Sequence, residues 1–350
     1  MKRFDMAIRA DGSAKIGMGH LMRCLSIALA LKENKKKVLF ITKNDQSKNF
    51  LEEKGFESIL LTEEYDSMEK EVEDTLEIIK ENQIPVLLVD SYQVTEKYFA
   101  LLNAVVPVFY IDDLGTMGLN VKGLINYNIY GASMGYQKNY TAATRLVLGS
   151  SYAPVKAAFM NTPYTIRKNV SNILITMGGS DALNIAGQLG ELLLEHLPKE
   201  VKLTLVCGRF SPHLESVRML AKTENGRGRV EILTDVSDMW NVMQRCDLAI
   251  AAAGSTMYEL CTMGVPTICC YYVENQRRMA ECFGERTSMR NAGDFSKDPD
   301  QVLQVILNHT LTLLHDEHMR KVLSLEMQCV SDGMGAYRIA EVLQEFMTLK

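Results

Sequence analysis

The chain has 350 residues, 47% of them hydrophobic and 23% charged, and about 150 residues per domain predicts two globular domains. Its 38 basic and 43 acidic residues give a net charge of −5, which argues against a basic surface for nucleic acids or acidic membranes. Residues 1–5 lead into a strand-like segment without a signal-peptide core, and no apolar run approaches the roughly 18 residues of a membrane span. We therefore expect a soluble, cytoplasmic protein.

Short apolar runs alternate with helical patterns along both halves of the chain. Their hydrophobicity is continuous, which indicates strands buried on both faces of a parallel sheet. The predicted strands of the first half span residues 6–10, 38–42, 85–90 and 106–111. Those of the second half span residues 172–176, 201–206, 230–233, 248–252 and 266–270. The pattern predicts the α/β class with two doubly wound, Rossmann-like domains.

A segment without either periodicity separates the two series of strands. It runs from about residue 152 to 172 and contains Pro154 and Pro163, which predicts a linker. We expect an N-terminal domain over 1–155 and a C-terminal domain over 170–350 that ends in a helical extension. The domains would face each other across a cleft, with the ligand at the carboxyl ends of both sheets.

A loop with three glycines leaves the first predicted strand at residues 9–20 (RADGSAKIGMGH). Gly17 and Gly19 would let backbone N–H groups approach an anion at the positive end of the following helix. His20 stands in the first helical turn, where the dipole disfavours a protonated ring and leaves an imidazole that can accept a proton. A histidine here can also simply cap the helix, but its place after Gly-x-Gly at a strand end favours a general base.

A second glycine motif, residues 177–181 (MGGSD), follows the first strand of the second half. Gly178 and Gly179 could form an anion nest, with Ser180 or Asp181 as helix cap. A plain tight turn explains the motif nearly as well.

A third motif, residues 251–260 (AAAGSTMYEL), predicts a strand, a turn and a helix. Gly254, Ser255 and Thr256 would present backbone amides and two hydroxyls to a diphosphate. Glu259, one turn into the helix, could accept hydrogen bonds from a ribose diol. The alternative is an ordinary turn with an exposed glutamate.

The third motif is followed by residues 264–266 (GVP) and 274–276 (ENQ), a combination that resembles the nucleotide-binding half of GT-B-type enzymes that use UDP-sugars. Together with residues 11–23 (DGSAKIGMGHLMR), it resembles more narrowly the UDP-sugar hydrolases of pseudaminic acid biosynthesis. Further pieces agree in order at residues 90–92 (DSY), 111–113 (IDD), 126–128 (NYN), 149–153 (GSSYA) and 177–181. The resemblance extends from about residue 8 to 276.

The resemblance implies a role for particular residues. The family's catalytic base corresponds to His20, Tyr92 and Asn275 match positions that line the sugar site, and Glu259 matches the ribose-binding acid. After residues 152–153 the family has an arginine near the substrate, whereas this chain has Lys156, which keeps the charge but loses the bidentate fork. Lys156 is the candidate for a contact to the diphosphate or the sugar.

The implied reaction is attack by water on the anomeric carbon of a UDP-linked 2,4-diacetamido-2,4,6-trideoxyhexose, which releases UDP and free sugar. His20 would take a proton from the water, and backbone amides would stabilise charge on the β-phosphate. Such a step belongs to the synthesis of nonulosonic acids for surface polysaccharides and glycosylated flagellin.

Two other functions fit the same residues. One is a GT-B glycosyltransferase in which His20 deprotonates an acceptor hydroxyl, and the other is a non-catalytic nucleotide-sugar-binding protein. No cofactor or metal is expected, because the sequence lacks an Asp-x-Asp pair that could bind a metal ion. The adjacent Asp112 and Asp113 would point to different sides of an extended chain. Residues 315–318 (HDEH) fit the exposed face of a helix. We expect a monomer or a weak homo-oligomer.

Overall fold

The computed structural model describes residues 4–12, 18–61, 67–116, 118–160, 164–208, 211–234 and 236–347. The chain divides into two compact units. Unit 1 comprises Met1–Ala157 and Met334–Lys350, and unit 2 comprises Ala158–Gly333. Each unit is built on one sheet of parallel strands, so the predicted fold class of two doubly wound α/β domains is confirmed.

The strands of each unit form a single sheet. In unit 1 they are β1 (Met6–Ala10), β2 (Val38–Thr42), β3 (Glu57–Leu60), β4 (Leu87–Asp90), β5 (Val108–Ile111), β6 (Gly123–Asn126) and β7 (Arg145–Leu148). In unit 2 they are β8 (Asn172–Thr176), β9 (Lys202–Cys207), β10 (Val230–Thr234), β11 (Leu248–Ala252), β12 (Thr267–Tyr271) and β13 (Arg290–Asp294). The predicted strands all form, whereas the apolar-run pattern misses β3, β6, β7 and β13.

The helices cover the sheets in the usual manner of doubly wound folds. They are α1 (Gly19–Glu33), α2 (Asp45–Glu53), α3 (Val72–Glu81), α4 (Glu96–Asn103), α5 (Ile185–His196), α6 (Leu214–Leu220), α7 (Met239–Gln244), α8 (Thr256–Met263), α9 (Glu274–Arg286), α10 (Pro299–His315), α11 (Glu317–Val330) and α12 (Gly335–Met347). No helix in the part of the chain that the structure describes combines the length and hydrophobicity of a membrane span.

Strand order places a crevice at the same point of each sheet. The order is β3-β2-β1-β4-β5-β6-β7 in unit 1 and β10-β9-β8-β11-β12-β13 in unit 2. The direction of strand addition reverses between β1 and β4 and between β8 and β11. In open parallel sheets, ligands bind beyond the carboxyl ends of the strands at such a switch point.

Helix α12 belongs to unit 1, although the sequence assigned residues up to 350 to the second domain. The reason is its buried face, which includes Ile339, Leu343 and Phe346. The helix packs against α1, and the ring of Phe346 lies 5.0 Å from that of Phe109 on β5. The C-terminal residues therefore complete the core of the unit that the N-terminal residues begin.

Candidate functional site

The His20 imidazole lies at the switch point of unit 1. Helix α1 begins at Gly19 without a side-chain cap, and only 9% of His20 is exposed. A Cβ added at Gly19 would meet nothing within 4 Å, so the backbone there borders open space. Gly17, the other glycine predicted for this loop, lies outside the described residues.

Asp90 is the partner of His20. It ends β4, the strand next to β1, and its register partner is Ala10, so the fold brings it to the start of α1. Its Oδ1 lies 2.6 Å from Nδ1 of His20, and its side chain is fully buried. The pair has the form of a base with an orienting carboxylate.

Arg23 keeps Asp90 ionised. Burial opposes the charge on Asp90, but the Arg23 guanidinium outweighs it with help from His20 and lowers the pKa of Asp90 to about 2. Its oxygens are therefore acceptors only, and Nδ1 of His20 must donate the shared hydrogen. The lone pair of the neutral ring is then on Nε2, the atom required for accepting a proton.

The network continues beyond Arg23 to the ends of β5 and β6. Nη1 of Arg23 donates to Oδ2 of Asp113 at 2.5 Å and to the Tyr127 hydroxyl at 2.8 Å. Asn128 donates to the other oxygen of Asp113 at 3.1 Å. Polar residues at the ends of three strands, β4, β5 and β6, are thus joined to the histidine.

Tyr92 is where this network reaches the surface. Its ring packs edge-on against that of His20, with centroids 4.4 Å apart and planes at 79°. Its hydroxyl donates to Asp113 at 3.0 Å, and burial together with Asp113 raises its pKa, so it stays protonated. Tyr92 is 47% exposed. The structure thus brings together two predicted site residues, Tyr92 and His20.

The charges of the network do not favour an anion beside the imidazole. Asp90 and Asp113 carry two negative charges against the single positive charge of Arg23. A diphosphate at the start of α1, as the glycine loop predicts, would depend on backbone amides alone. The surplus negative charge instead suits an imidazolium that forms during proton transfer.

A second buried ion cluster holds the beginning of the loop. Arg9 on β1 binds Glu71 through two hydrogen bonds of 2.7 and 2.8 Å and binds Asp11 at 2.5 Å. Ser47 both donates to the carbonyl and accepts from the N–H of Gly12. The loop is therefore fixed to α2 and to the start of α3 before it enters residues 13–17, which are outside the described part.

Asp112 and Asp113 have different partners, as their adjacency predicts. Oδ1 of Asp112 accepts from the backbone of Leu114 and Gly115, and its Oδ2 accepts from Tyr136, whereas Asp113 faces Arg23. Asp112 is therefore a turn-forming residue.

In unit 2, Asp181 occupies part of the predicted anion nest. Its carboxylate accepts from the N–H groups of Ile185 at 2.8 Å and Ala186 at 3.0 Å, so its side chain caps the first turn of α5, although the N-cap position belongs to Asn184 and not to Ser180 or Asp181. Gly178 has a positive φ of 82°, and a Cβ at Gly179 would meet nothing within 4 Å. There is space beside Gly179, but the N–H groups of Ile185 and Ala186 already donate to Asp181 and are not available to an anion.

The start of α8 is the freer helix terminus. Ser255 is exposed and makes no side-chain cap, Thr256 is the first helical residue, and a Cβ at Gly254 would meet nothing within 4 Å. Glu259 follows one turn later and is partly buried. Because β8 and β11 are neighbours, this turn and Gly179 lie at the same switch point.

The other two predicted site residues, Asn275 and Lys156, lie outside the sequence segments that form these clusters. Asn275 is exposed in the first turn of α9, after β12. Lys156 is partly buried in the segment after β7, close to the end of the first part of unit 1.

The two folded units have the fold seen in GT-B-type proteins. A crystal structure of MurG from Acinetobacter baumannii superposes with a TM-score of 0.67 at 14% identity, over 97% of this chain and 99% of that one. In sequence, the chain is 26% identical to the spore coat polysaccharide biosynthesis protein SpsG of Bacillus subtilis, over 97% of this chain and 98% of that protein. It is 24% identical to the UDP-2,4-diacetamido-2,4,6-trideoxy-beta-L-altropyranose hydrolase of Campylobacter jejuni, over 78% and 93%. No family model matches.

Proposed function

We propose that this protein is an enzyme that hydrolyses a UDP-sugar to UDP and free sugar by attack of water at the anomeric carbon. The observation that carries the proposal is the His20–Asp90 pair at the switch point of unit 1, with a contact of 2.6 Å. A protein that only binds nucleotide sugars has no use for an oriented base. Similarity to the Campylobacter hydrolase supports the choice of reaction.

In the proposed step, Nε2 of His20 accepts a proton from water while the water oxygen bonds to the anomeric carbon. The bond from that carbon to the β-phosphate oxygen breaks, and UDP leaves with the electron pair. Asp90 stabilises the resulting imidazolium, which returns its proton to solvent. A positioned base of this kind contributes about 10²- to 10⁴-fold in rate.

Unit 2 is proposed to hold the nucleotide. The amides of Ser255 and Thr256 would bind the diphosphate at the start of α8, beside Gly254, whose own N–H donates to the carbonyl of Ala252. Glu259 would bind the ribose. Support comes from the exposed, uncapped helix start and from the open space at Gly254.

The proposed sugar is a 2,4-diacetamido-2,4,6-trideoxyhexose. Tyr92 offers an exposed aromatic face next to His20, which suits a deoxysugar, and Asn275 could bind an acetamido group. Lys156 stays a proposed contact of the diphosphate or the sugar. The cytoplasmic location and the monomeric or weakly oligomeric state stay predictions.

The second candidate is a glycosyltransferase for a surface polysaccharide. It is favoured by the full-length similarity to SpsG and by the fold shared with MurG. His20 would then take the proton of an acceptor hydroxyl instead of a water molecule. The departure of UDP from the anomeric carbon would be unchanged.

Hydrolysis in heavy-oxygen water tests the proposal. The protein is incubated with the UDP-diacetamidohexose, and both products are weighed by mass spectrometry, with His20→Ala as the control. Label in the free sugar supports the proposal, and label in UDP contradicts attack at carbon. Consumption only after addition of a glycan acceptor identifies the transferase, and turnover by His20→Ala contradicts the role of the base.

A further inference from the structure

Arg23 lies one turn after His20 on α1, and its guanidinium is bonded at all three nitrogens. Nε and Nη2 form a fork on Asp90 with distances of 2.5 and 2.6 Å. Nη1 binds Asp113 and Tyr127. The side chain is 9% exposed, so these bonds are little weakened by water. Asp90 is consequently fixed with one oxygen toward His20.

The same guanidinium closely approaches the imidazole. Nη2 of Arg23 lies 3.1 Å from Nδ1 of His20. Because a guanidinium only donates and Nδ1 already donates to Asp90, this contact is a positive charge beside the ring rather than a hydrogen bond. The guanidinium and the imidazole are thus both held by the same carboxylate, that of Asp90.

Cys24, Tyr110 and Tyr127 lie near the pair and are neutral at physiological pH. Burial raises the pKa of each, and a carboxylate adds to the effect: Asp90 for Cys24, Asp112 for Tyr110 and Asp113 for Tyr127. The charged groups are Arg23, Asp90 and Asp113, which are bonded to one another, and Asp112, which accepts from Tyr136. Asp90 is thus the carboxylate that Arg23 holds against the imidazole.

We propose that Arg23 is the positioning residue that fixes the tautomer of the neutral His20 ring, with the hydrogen on Nδ1 and the lone pair on Nε2. It does so by holding Asp90 in the fork with one carboxylate oxygen toward Nδ1. The catalytic consequence rests on the proposed function, but the state of the ring can be observed without any substrate.

Two substitutions separate position from charge. Arg23→Lys keeps the positive charge and loses the fork, since an ammonium cannot bind Asp90 through two nitrogens and reach Asp113 as well. Arg23→Gln loses both the fork and the charge. Arg167→Gln is the matched control, because Arg167 forms a comparable bond of 2.6 Å to the buried Asp247 in unit 2.

The direct test is nitrogen NMR of histidine labelled in the ring, on the full chain without ligand. The protein has six histidines, and the spectrum of His20→Ala assigns the signal of His20. We expect the neutral ring of the native protein to carry its hydrogen on Nδ1. In Arg23→Gln and in Arg23→Lys the fork on Asp90 is lost, and the two neutral tautomers mix. Arg167→Gln leaves the signal unchanged.

Kinetics supply the second measurement, with folding of each variant checked by thermal unfolding. In both Arg23 variants kcat should fall about 10²-fold while KM changes little, because the base is displaced and the substrate contacts are kept. If Arg23→Gln does not fold, the His20 tautomer observed by NMR in Arg23→Lys tests the role of Arg23.

The outcomes distinguish the two proposals. A native-like His20 signal in both folded Arg23 variants overturns the role of Arg23, whatever the protein does with UDP-sugars. The expected NMR changes without consumption of any UDP-sugar, alone or with acceptor, support the role of Arg23 and overturn the proposed function.

Discussion

Replacement of Asp90 by asparagine tests the proposed base most sharply, because the side chain keeps its shape and loses its charge. If the new amide oxygen faces His20, the amide nitrogen faces Nε of Arg23, and two hydrogen-bond donors are then in contact. If the amide nitrogen faces His20, it also faces the donor Nη2 of Arg23, and Nδ1 of His20 must accept its hydrogen. That second arrangement puts the hydrogen on Nε2, where the lone pair is needed.

The expected loss follows from these contacts. We expect kcat to fall about 10³-fold for Asp90→Asn, within the range of a positioned base, with little change in KM. Loss of one partner of a buried ion pair costs about 3–5 kcal/mol of unfolding free energy. Because Arg23 keeps its bond to Asp113, the lower end of that range applies.

The assay is release of UDP, scaled to the folded fraction measured by urea unfolding under the same conditions. Asp247→Asn is the matched control, since Asp247 is a buried carboxylate of unit 2 that binds Arg167 and the backbone of residues 171 and 172. It should lose stability and keep kcat per folded molecule. A kcat within about threefold of native for Asp90→Asn would refute the orienting role of the carboxylate.

Three further predictions concern stability and binding. The pKa of Asp90 is lowered from 3.8 to about 2, so its ionised form contributes about 2 kcal/mol to the free energy of unfolding above pH 4. This contribution is lost as the pH falls through 2. Urea unfolding at a series of acidic pH values should show the loss in the native protein but not in Asp90→Asn. Gly208→Ala should lower the unfolding free energy by about 2 kcal/mol or more, because its Cβ would collide with the carbonyl of Gly179. Gly254→Ala should change the unfolding free energy by less than about 0.5 kcal/mol, since its Cβ meets nothing. Its affinity for UDP, measured by calorimetry, should nevertheless fall. Asp181→Ala should cost about 1–2 kcal/mol by removing the cap of α5, and an unchanged urea midpoint would contradict that role.

The central strands could be predicted from the sequence because their residues are buried on both faces. β1, β2, β4, β5, β8 and β11 are mostly apolar for that reason, although β1 contains the buried Arg9 and β4 ends in Asp90. The edge strands β3, β7 and β13 are partly exposed and carry polar residues such as Glu57 and Arg145. β6 is buried, but its four residues include Gly123 and Asn126, which interrupt the apolar run.

The site was predictable at its glycine loops and less so in its contacts. His20 follows from its position after a strand, but Asp90 lies 70 residues away and meets it only because β4 inserts beside β1. One signal was present in the sequence: acidic or amide residues end β4, β5 and β6, and parallel strands bring such ends to one edge. The spacing of Arg23, three residues after His20, also places both on one helix face.

The membership of α12 in unit 1 has a consequence for how the protein is made. The strands of unit 1 are synthesised before all of unit 2, and the helix that packs on α1 is synthesised after it. The apolar surface that α12 covers, including the ring of Phe109, stays uncovered on the ribosome while about 175 residues are added. The unit whose strands are synthesised first therefore cannot complete its core until the whole of the other unit has been synthesised.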